Sequence, residues 1–264
     1  MKCRTFSKLI FISCLLIFPI FALGQMSLND HKPPVAKVVP KITTLHGETL
    51  ADNYFWLREK TNPEVISYLE AENKYTEAFS KPFIGLQDKI YNEILSRIKQ
   101  TDLSVPYKLG EYWYYTRTEE GKQYSIYCRK QGTMETPEHI VLDLNELAKG
   151  HKFLGLGLYQ VSDDGNLLAY SLDTTGFRQY QLQFKDLRTG QILPDSIGQV
   201  NSAVWAADNK TLFYIKEDHA KRPHRLFRHV LGGKNAPVVF EEKDELYRIF
   251  ASRSSDKKFV LLVS

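Results

Sequence analysis

Cysteine is nearly absent, with three residues in a chain of 264. Cys3 and Cys14 lie within the first 24 residues, so a processed chain keeps Cys128 alone and forms no internal disulfide, even where the compartment would permit one. Its stability must come from a packed core, for which the 15 tyrosines and 15 phenylalanines are ample material. Long apolar runs are also scarce. After the first, which covers Leu9 to Leu23, none reaches the ~20 residues that span a bilayer, so the processed chain is expected to stay off the membrane. Net charge is missing too, because the leader carries three of the 35 basic residues and none of the 31 acidic ones, which leaves the remainder at +1. A balance so close to zero gives no electrostatic reason to expect nucleic acid as a partner.

What is present begins with a leader. Lys2, Arg4 and Lys8 precede the apolar run, and Ala22-Leu23-Gly24 places small residues where a signal peptidase reads. Residues 1–24 are therefore expected to be a secretory signal peptide cut before Gln25, and the protein to be exported, periplasmic or secreted. Met26 to Pro40 is polar and proline-rich, an exposed extended lead-in. The cluster Tyr54-Phe55-Trp56-Leu57 must pack on something. Thr61-Asn62-Pro63-Glu64 then supplies a cap, a first-turn proline and an acidic residue at the positive helix end. This helix is expected to run to about Ser80 with Val65, Tyr68, Leu69, Tyr75 and Phe79 inward. A second, from Leu86 to Lys99, puts Leu86, Ile90, Ile94, Leu95 and Ile98 on one stripe.

From Thr101 onward the period changes. Tyr159-Gln160-Val161 ends in Ser162-Asp163-Asp164-Gly165-Asn166, whose Asp-Gly pair supplies positive φ cheaply, and the chain returns as Leu167-Leu168-Ala169-Tyr170. Gln179 to Lys185 alternates polar residues with Tyr180, Leu182 and Phe184, the period of a strand with one wet face. The layout recurs around Asp208, which lies 44 residues after Asp164, and again around Asp256, 48 residues further on. Tyr107, Gly110-Glu111 and Tyr112-Trp113-Tyr114-Tyr115 form an earlier copy. Copies of about four short strands every ~40–50 residues have the spacing of propeller blades. A β-sandwich with recurring turns is the alternative.

Five strings, in order and plausibly spaced, carry a resemblance. They are Tyr54 to Arg58, Leu69 to Ala78, Tyr112 to Tyr124, Thr174 to Tyr180 and Arg222 to Gly232. Together they resemble the N-terminal half of the prolyl oligopeptidase family of serine peptidases, with oligopeptidase B as the nearest branch, over roughly residues 40–264. The resemblance implies a mainly β fold: an incomplete seven-bladed propeller of about three blades and the start of a fourth, preceded by two α-helices. It divides the chain into the leader, a segment 25–100 that packs on an α/β-hydrolase domain, and a partial propeller 101–264. It also implies that the parent protein hydrolyses oligopeptides, that the propeller gates access, and that no cofactor is needed. In the oligopeptidase B branch, cleavage follows Lys or Arg.

The chemistry itself is not in this stretch. A serine on an α/β-hydrolase sheet sits in a G-x-S-x-G elbow, a string that does not occur here, and no alternating strand and helix pattern follows Thr101. No catalytic, substrate-binding, cofactor or metal residue is therefore assigned, and the fragment alone is expected to be inactive. His219, His224 and His229 are spaced by five, too widely for a zinc site without further ligands. Lys221 to His229 is a basic run that reads as a strand and its preceding loop. Gly155-Leu156-Gly157 lacks the third glycine of a dinucleotide loop and reads as a connection. Asp163, Asp164 and Asp173 lack calcium-loop spacing and read as turn carboxylates. Val260 to Ser264 aligns with mid-strand Leu167 to Ser171, so a partial gene product with an open sheet edge is expected, one that expresses poorly or aggregates. A non-catalytic exported propeller that binds a peptide, glycan or protein is the reading from another functional class.

Overall fold

A computed structural model describes residues 32–264, so the expected leader lies outside the described residues. The chain forms two compact units, one ending at Ile98 and the other running from Lys99 to Ser264.

In the first unit, β1 (Lys41–Leu45) pairs antiparallel with β2 (Glu48–Asp52). Their two-residue turn holds His46 at φ 51° and Gly47 at φ 84°, the doubly left-handed geometry that suits the twist of a hairpin. A 3₁₀ turn at Phe55–Arg58 follows, and Trp56 Nε1 donates to the Lys37 carbonyl at 2.9 Å. Helix α1 (Pro63–Ser80) starts as its sequence dictates, with the Asn62 side chain accepting from the Glu64 amide at 2.9 Å and Pro63 in the first turn. A 3₁₀ turn at Lys81–Phe83 leads directly into α2 (Ile84–Arg97).

The expected inward faces need correction. Val65 is buried and Tyr68 and Tyr75 are half-buried, but Leu69 and Phe79 are exposed. On α2 the stripe exists as a pattern, yet Leu86, Ile90, Ile94 and Ile98 are 48–56% exposed, and only Leu95 is half-buried. The physical reason is that Trp56 packs on one face of α1, with its ring 6.4 Å from Tyr68, and the described residues of this unit supply no second layer for α2.

The second unit is three four-stranded antiparallel sheets and one two-stranded sheet, each strand pairing with its sequence neighbour. The first sheet holds β3 (Tyr107–Leu109), β4 (Tyr112–Arg117), β5 (Ile126–Gln131) and β6 (His139–Asp143). The second holds β7 (Gly155–Val161), β8 (Leu167–Asp173), β9 (Gln181–Asp186) and β10 (Ile192–Gly198). The third holds β11 (Val200–Trp205), β12 (Thr211–Glu217), β13 (Pro223–Val230) and β14 (Val238–Glu241). Last come β15 (Phe250–Arg253) and β16 (Val260–Val263). A one-turn helix, α3 (Leu144–Leu147), follows β6, with Asp143 accepting from the Asn145 amide at 2.8 Å.

Strand periodicity explains how the sheets stack. On β8, Leu168 and Tyr170 join Tyr114, Val141 and Leu142 of the first sheet, while Ala169 faces the other way and joins Trp205, Leu212 and Tyr214 of the third. A strand buried on both faces reads as a continuous apolar run, which is why Leu167-Leu168-Ala169-Tyr170 shows no alternation. β12 repeats this, with Leu212 and Tyr214 on one side and Ile215 on the other, against Ile249 and Leu262. The first strands converge: β11 packs against both β7 and β15, and Trp205 Nε1 donates to the Gln160 carbonyl at 3.0 Å.

The turns between first and second strands are equivalent. Ser162 and Ser254 each donate to the aspartate two residues on (2.6 Å in both) and accept the amide five residues on (2.9 and 3.0 Å). Gly165, Asn209 and Lys257 share the positive-φ position at 72°, 53° and 60°. The aspartate before each fixes it through local amides, as Asp208 does with Lys210 and Thr211 at 3.0 and 2.8 Å. Gly155-Leu156-Gly157, expected as a connection, is instead the start of β7. Glycine is a poor strand former, but here a Cβ on Gly157 would lie 2.6 Å from the Tyr180 ring, so the strand needs its absence.

Candidate functional site

The converging first strands leave a groove of about 500 Å3, walled by β7, β11 and β15 and reached by Leu109 of β3. Its floor is apolar, from Leu158, Val161, Ala203 and Trp205, and its mouth carries Asp163, Arg253 and Lys257. Asp163 accepts from Arg253 Nη1 at 2.8 Å and from Lys257 Nζ at 3.0 Å. Its amide and that of Asp164 both donate to Asn209 Oδ1, at 2.8 and 3.3 Å. Three equivalent turns, from three sheets, are thereby tied together. Burial pushes the Asp163 carboxyl upward, but hydrogen bonds and charge from Arg253 and Lys257 outweigh it and hold it below the ordinary aspartate value. Ser202 Oγ and Arg253 Nε are buried without a hydrogen-bond partner among the described residues, and both belong to residues that line this groove.

No hydrolytic constellation accompanies it among the described residues. The nearest approach to one is His229, whose Nε2 lies 2.7 Å from Asp195 Oδ1, with the Phe184 ring tilted against it at 6.1 Å. The neighbouring Ser196 hydroxyl is instead engaged by Gln181 Nε2 at 2.6 Å and the Leu182 carbonyl at 3.4 Å. That is half of a base and its orienting carboxylate without a nucleophile. Cys128 is no substitute, since burial first, then Glu138, pushes its thiol up to about 12.

The residues singled out by sequence fall as follows. His219 lies in the turn before β13, while His224 and His229 both lie on that strand. They do not converge: among the described residues no three metal-capable side chains meet. The basic run is β13 and its preceding loop, and three of its cations have internal partners. Lys221 donates to the Phe177 carbonyl, Arg222 pairs with Asp218 at 3.1 Å, and Arg225 pairs with Glu241 at 2.8 Å. Asp173 organises the loop after β8, accepting from Thr175 Oγ1 at 2.6 Å and the Arg178 amide at 2.7 Å. Asp164 braces its own turn. The tie centred on Asp163 was not foreseen, because its partners lie 90 and 94 residues away in sequence. The only signal was the repeat itself, which puts equivalent turns side by side.

Residues 33–264 match the family profile described as prolyl oligopeptidase, N-terminal beta-propeller domain. The chain belongs to the prolyl oligopeptidase family. Dipeptidyl aminopeptidase BI of Pseudoxanthomonas mexicana is 36% identical over 260 residues, a match covering 90% of this chain and 36% of that protein. Protease 2 of Moraxella lacunata is 36% identical over 243 residues, covering 88% and 35%. Among solved structures, oligopeptidase B from Leishmania major superposes with a TM-score of 0.80 at 31% identity, covering 88% of this chain and 36% of that one. The chain thus spans about a third of the length of the prolyl oligopeptidase relatives it matches. Its antiparallel sheets are those of the family's N-terminal propeller, and its relatives are peptidases.

Proposed function

We propose that this chain is the propeller-bearing part of an exported serine endopeptidase, similar to oligopeptidase B, that hydrolyses oligopeptides. In this reading the three four-stranded sheets are blades, β15 and β16 begin a fourth, and the ring they belong to has seven. The serine, histidine and aspartate come from an α/β-hydrolase segment outside residues 33–264. The observation that carries the reading is the convergence of first strands on a shared groove, with the turns of three sheets locked together by Asp163. Such a ring would act by exclusion: an extended peptide passes a narrow axial opening, a folded protein does not, and bulk water is kept from the reacting bond. The half-exposed stripe of α2 supports a role for residues 25–100 in covering the hydrolase segment. Relatives of equal identity are named dipeptidyl aminopeptidase BI and Protease 2, and the reading assigns no preferred cleavage residue.

The test uses the full-length gene product and one cleavable sequence presented twice, as a free peptide and within a folded carrier. The free peptide is expected to be cleaved and the carrier spared until it is denatured. Equal cleavage of both would sink the gate, and absence of any peptidase activity would favour a non-catalytic binding propeller.

A further inference from the structure

We propose that a cavity between the first two four-stranded sheets is an oxyanion site, taking a carboxylate or phosphate group, with Arg129 at its base and His139 and Arg188 beside it. The cavity measures about 670 Å3 and no acidic side chain lines it among the described residues. It lies apart from the first-strand groove, and it stands whether or not the peptidase reading does.

The case rests on a buried cation with no anion. Arg129, on β5, is 3% exposed. Its Nε donates to His139 Nδ1 at 3.1 Å, Nη1 to the Gly165 carbonyl and Nη2 to the Leu187 carbonyl at 3.4 Å. Its guanidinium lies 4.0 Å over the Tyr112 ring. All of these partners are neutral, whereas buried guanidinium groups are ordinarily matched by a carboxylate. Among the described residues no carboxylate lies within ion-pair distance of Arg129. The same is true of Lys185, whose Nζ donates to the Val141 carbonyl at 2.8 Å. The acidic groups nearby in sequence are taken. Asp186 holds Arg188 at 2.6 Å, and Glu138 is engaged by Tyr115 at 2.6 Å and Arg117 at 3.0 Å.

His139 sits on the exposed first residue of β6, within reach of Arg129. Its Nδ1 accepts from Arg129, so the neutral ring carries its proton on Nε2 and can donate. Burial, then Arg129, then Lys185 hold this imidazole below the ordinary histidine value. Arg129 in the cavity wall and Lys185 nearby have no carboxylate within ion-pair distance among the described residues, so an oxyanion beside Arg129 would supply the missing counter-charge. A planar guanidinium fork and an imidazole N–H favour carboxylate or phosphate over a spherical halide.

The experiment follows the imidazole of His139 by NMR in the full chain with 13C-labelled histidine, while inorganic phosphate, N-acetyl-diglycine or sodium chloride is added at matched ionic strength. The expected result is a saturable rise of about one pKa unit in His139, not shared by the other six histidines, with phosphate, the peptide carboxylate or both, and not with chloride. Which of the two acts names the source of the oxyanion. Arg188→Gln, at the exposed rim, is expected to weaken the response about tenfold while the fold persists. Arg129→Lys keeps the charge but loses the fork, and is expected to abolish selectivity over chloride. A His139 titration that ignores both oxyanions, or answers chloride equally, overturns the site.

Discussion

Replacing the Asp163 carboxylate with a carboxamide tests whether the three turns are held by charge or only by shape. The Asp163→Asn side chain keeps an acceptor for Arg253 and Lys257 but loses the negative charge. The Arg253 side chain is 14% exposed, so its hydrogen bond to Asp163 at 2.8 Å falls in the range of ~1.5–3 kcal/mol for bonds to charged groups. Lys257 is 45% exposed and solvent screens it, so it adds at most ~0.5 kcal/mol. With the neutral acceptor retained, the expected loss is about 1–2.5 kcal/mol in urea unfolding at pH 7. The folded carboxyl lies below its unfolded value, so this stability is fully present above the ordinary aspartate pKa of ~3.9 and is lost as pH falls through the folded one. Wild type and Asp163→Asn should therefore differ at pH 7, and the difference should shrink as pH falls below the ordinary aspartate value of ~3.9 and through the folded one. Tryptophan fluorescence reports the transition through Trp205, which lines the same groove. A difference below ~0.5 kcal/mol at pH 7, or one that does not shrink as pH falls below ~3.9, would refute the charge-based tie.

Three further outcomes are expected. Gly157→Ala places a Cβ 2.6 Å from the Tyr180 ring and 2.8 Å from Ser171 Oγ, and should cost about 1–3 kcal/mol by the same unfolding assay. Trp205→Phe preserves the edge contact with Phe184 but loses the indole hydrogen bond to the Gln160 carbonyl, at a cost of about 1–2 kcal/mol, so a neutral result would mean that β7 and β11 are not joined there. Cys128, buried and with its thiol pushed up to about 12, should resist iodoacetamide at pH 8 in the native protein and react fully in guanidinium, as read by mass spectrometry of its peptide.

Local chemistry made much of the second unit legible. Asp164-Gly165, Asp208-Asn209 and Asp256-Lys257 each mark a turn whose geometry the structure repeats, and their spacing announced a unit of four strands. The start of α1 was legible because Asn62, Pro63 and Glu64 act within one turn. The hairpin of β1 and β2 was not, since Lys41 to Asp52 shows little alternation and both strands are exposed throughout, so no buried face imposes a pattern. Gly155 and Gly157 pointed to a loop because the reason for the second, the close approach of Tyr180, comes from 23 residues downstream. α3 went unseen because four residues carry no period, and only the Asp143 cap fixes it. The groove was the least legible part. Leu158, Ala203 and Ala251 are ordinary strand residues until three sheets bring them to one place, and Asp163 becomes a centre only when the turns of the other sheets arrive beside it.

The central claim is that this chain shapes and covers a hydrolytic pocket without supplying its nucleophile. The direct measurement is to treat the full-length gene product with a fluorophosphonate probe and map the labelled serine by mass spectrometry. One modified serine, outside residues 33–264 and within a G-x-S-x-G string, is the result expected. A modified serine inside residues 33–264 would contradict it.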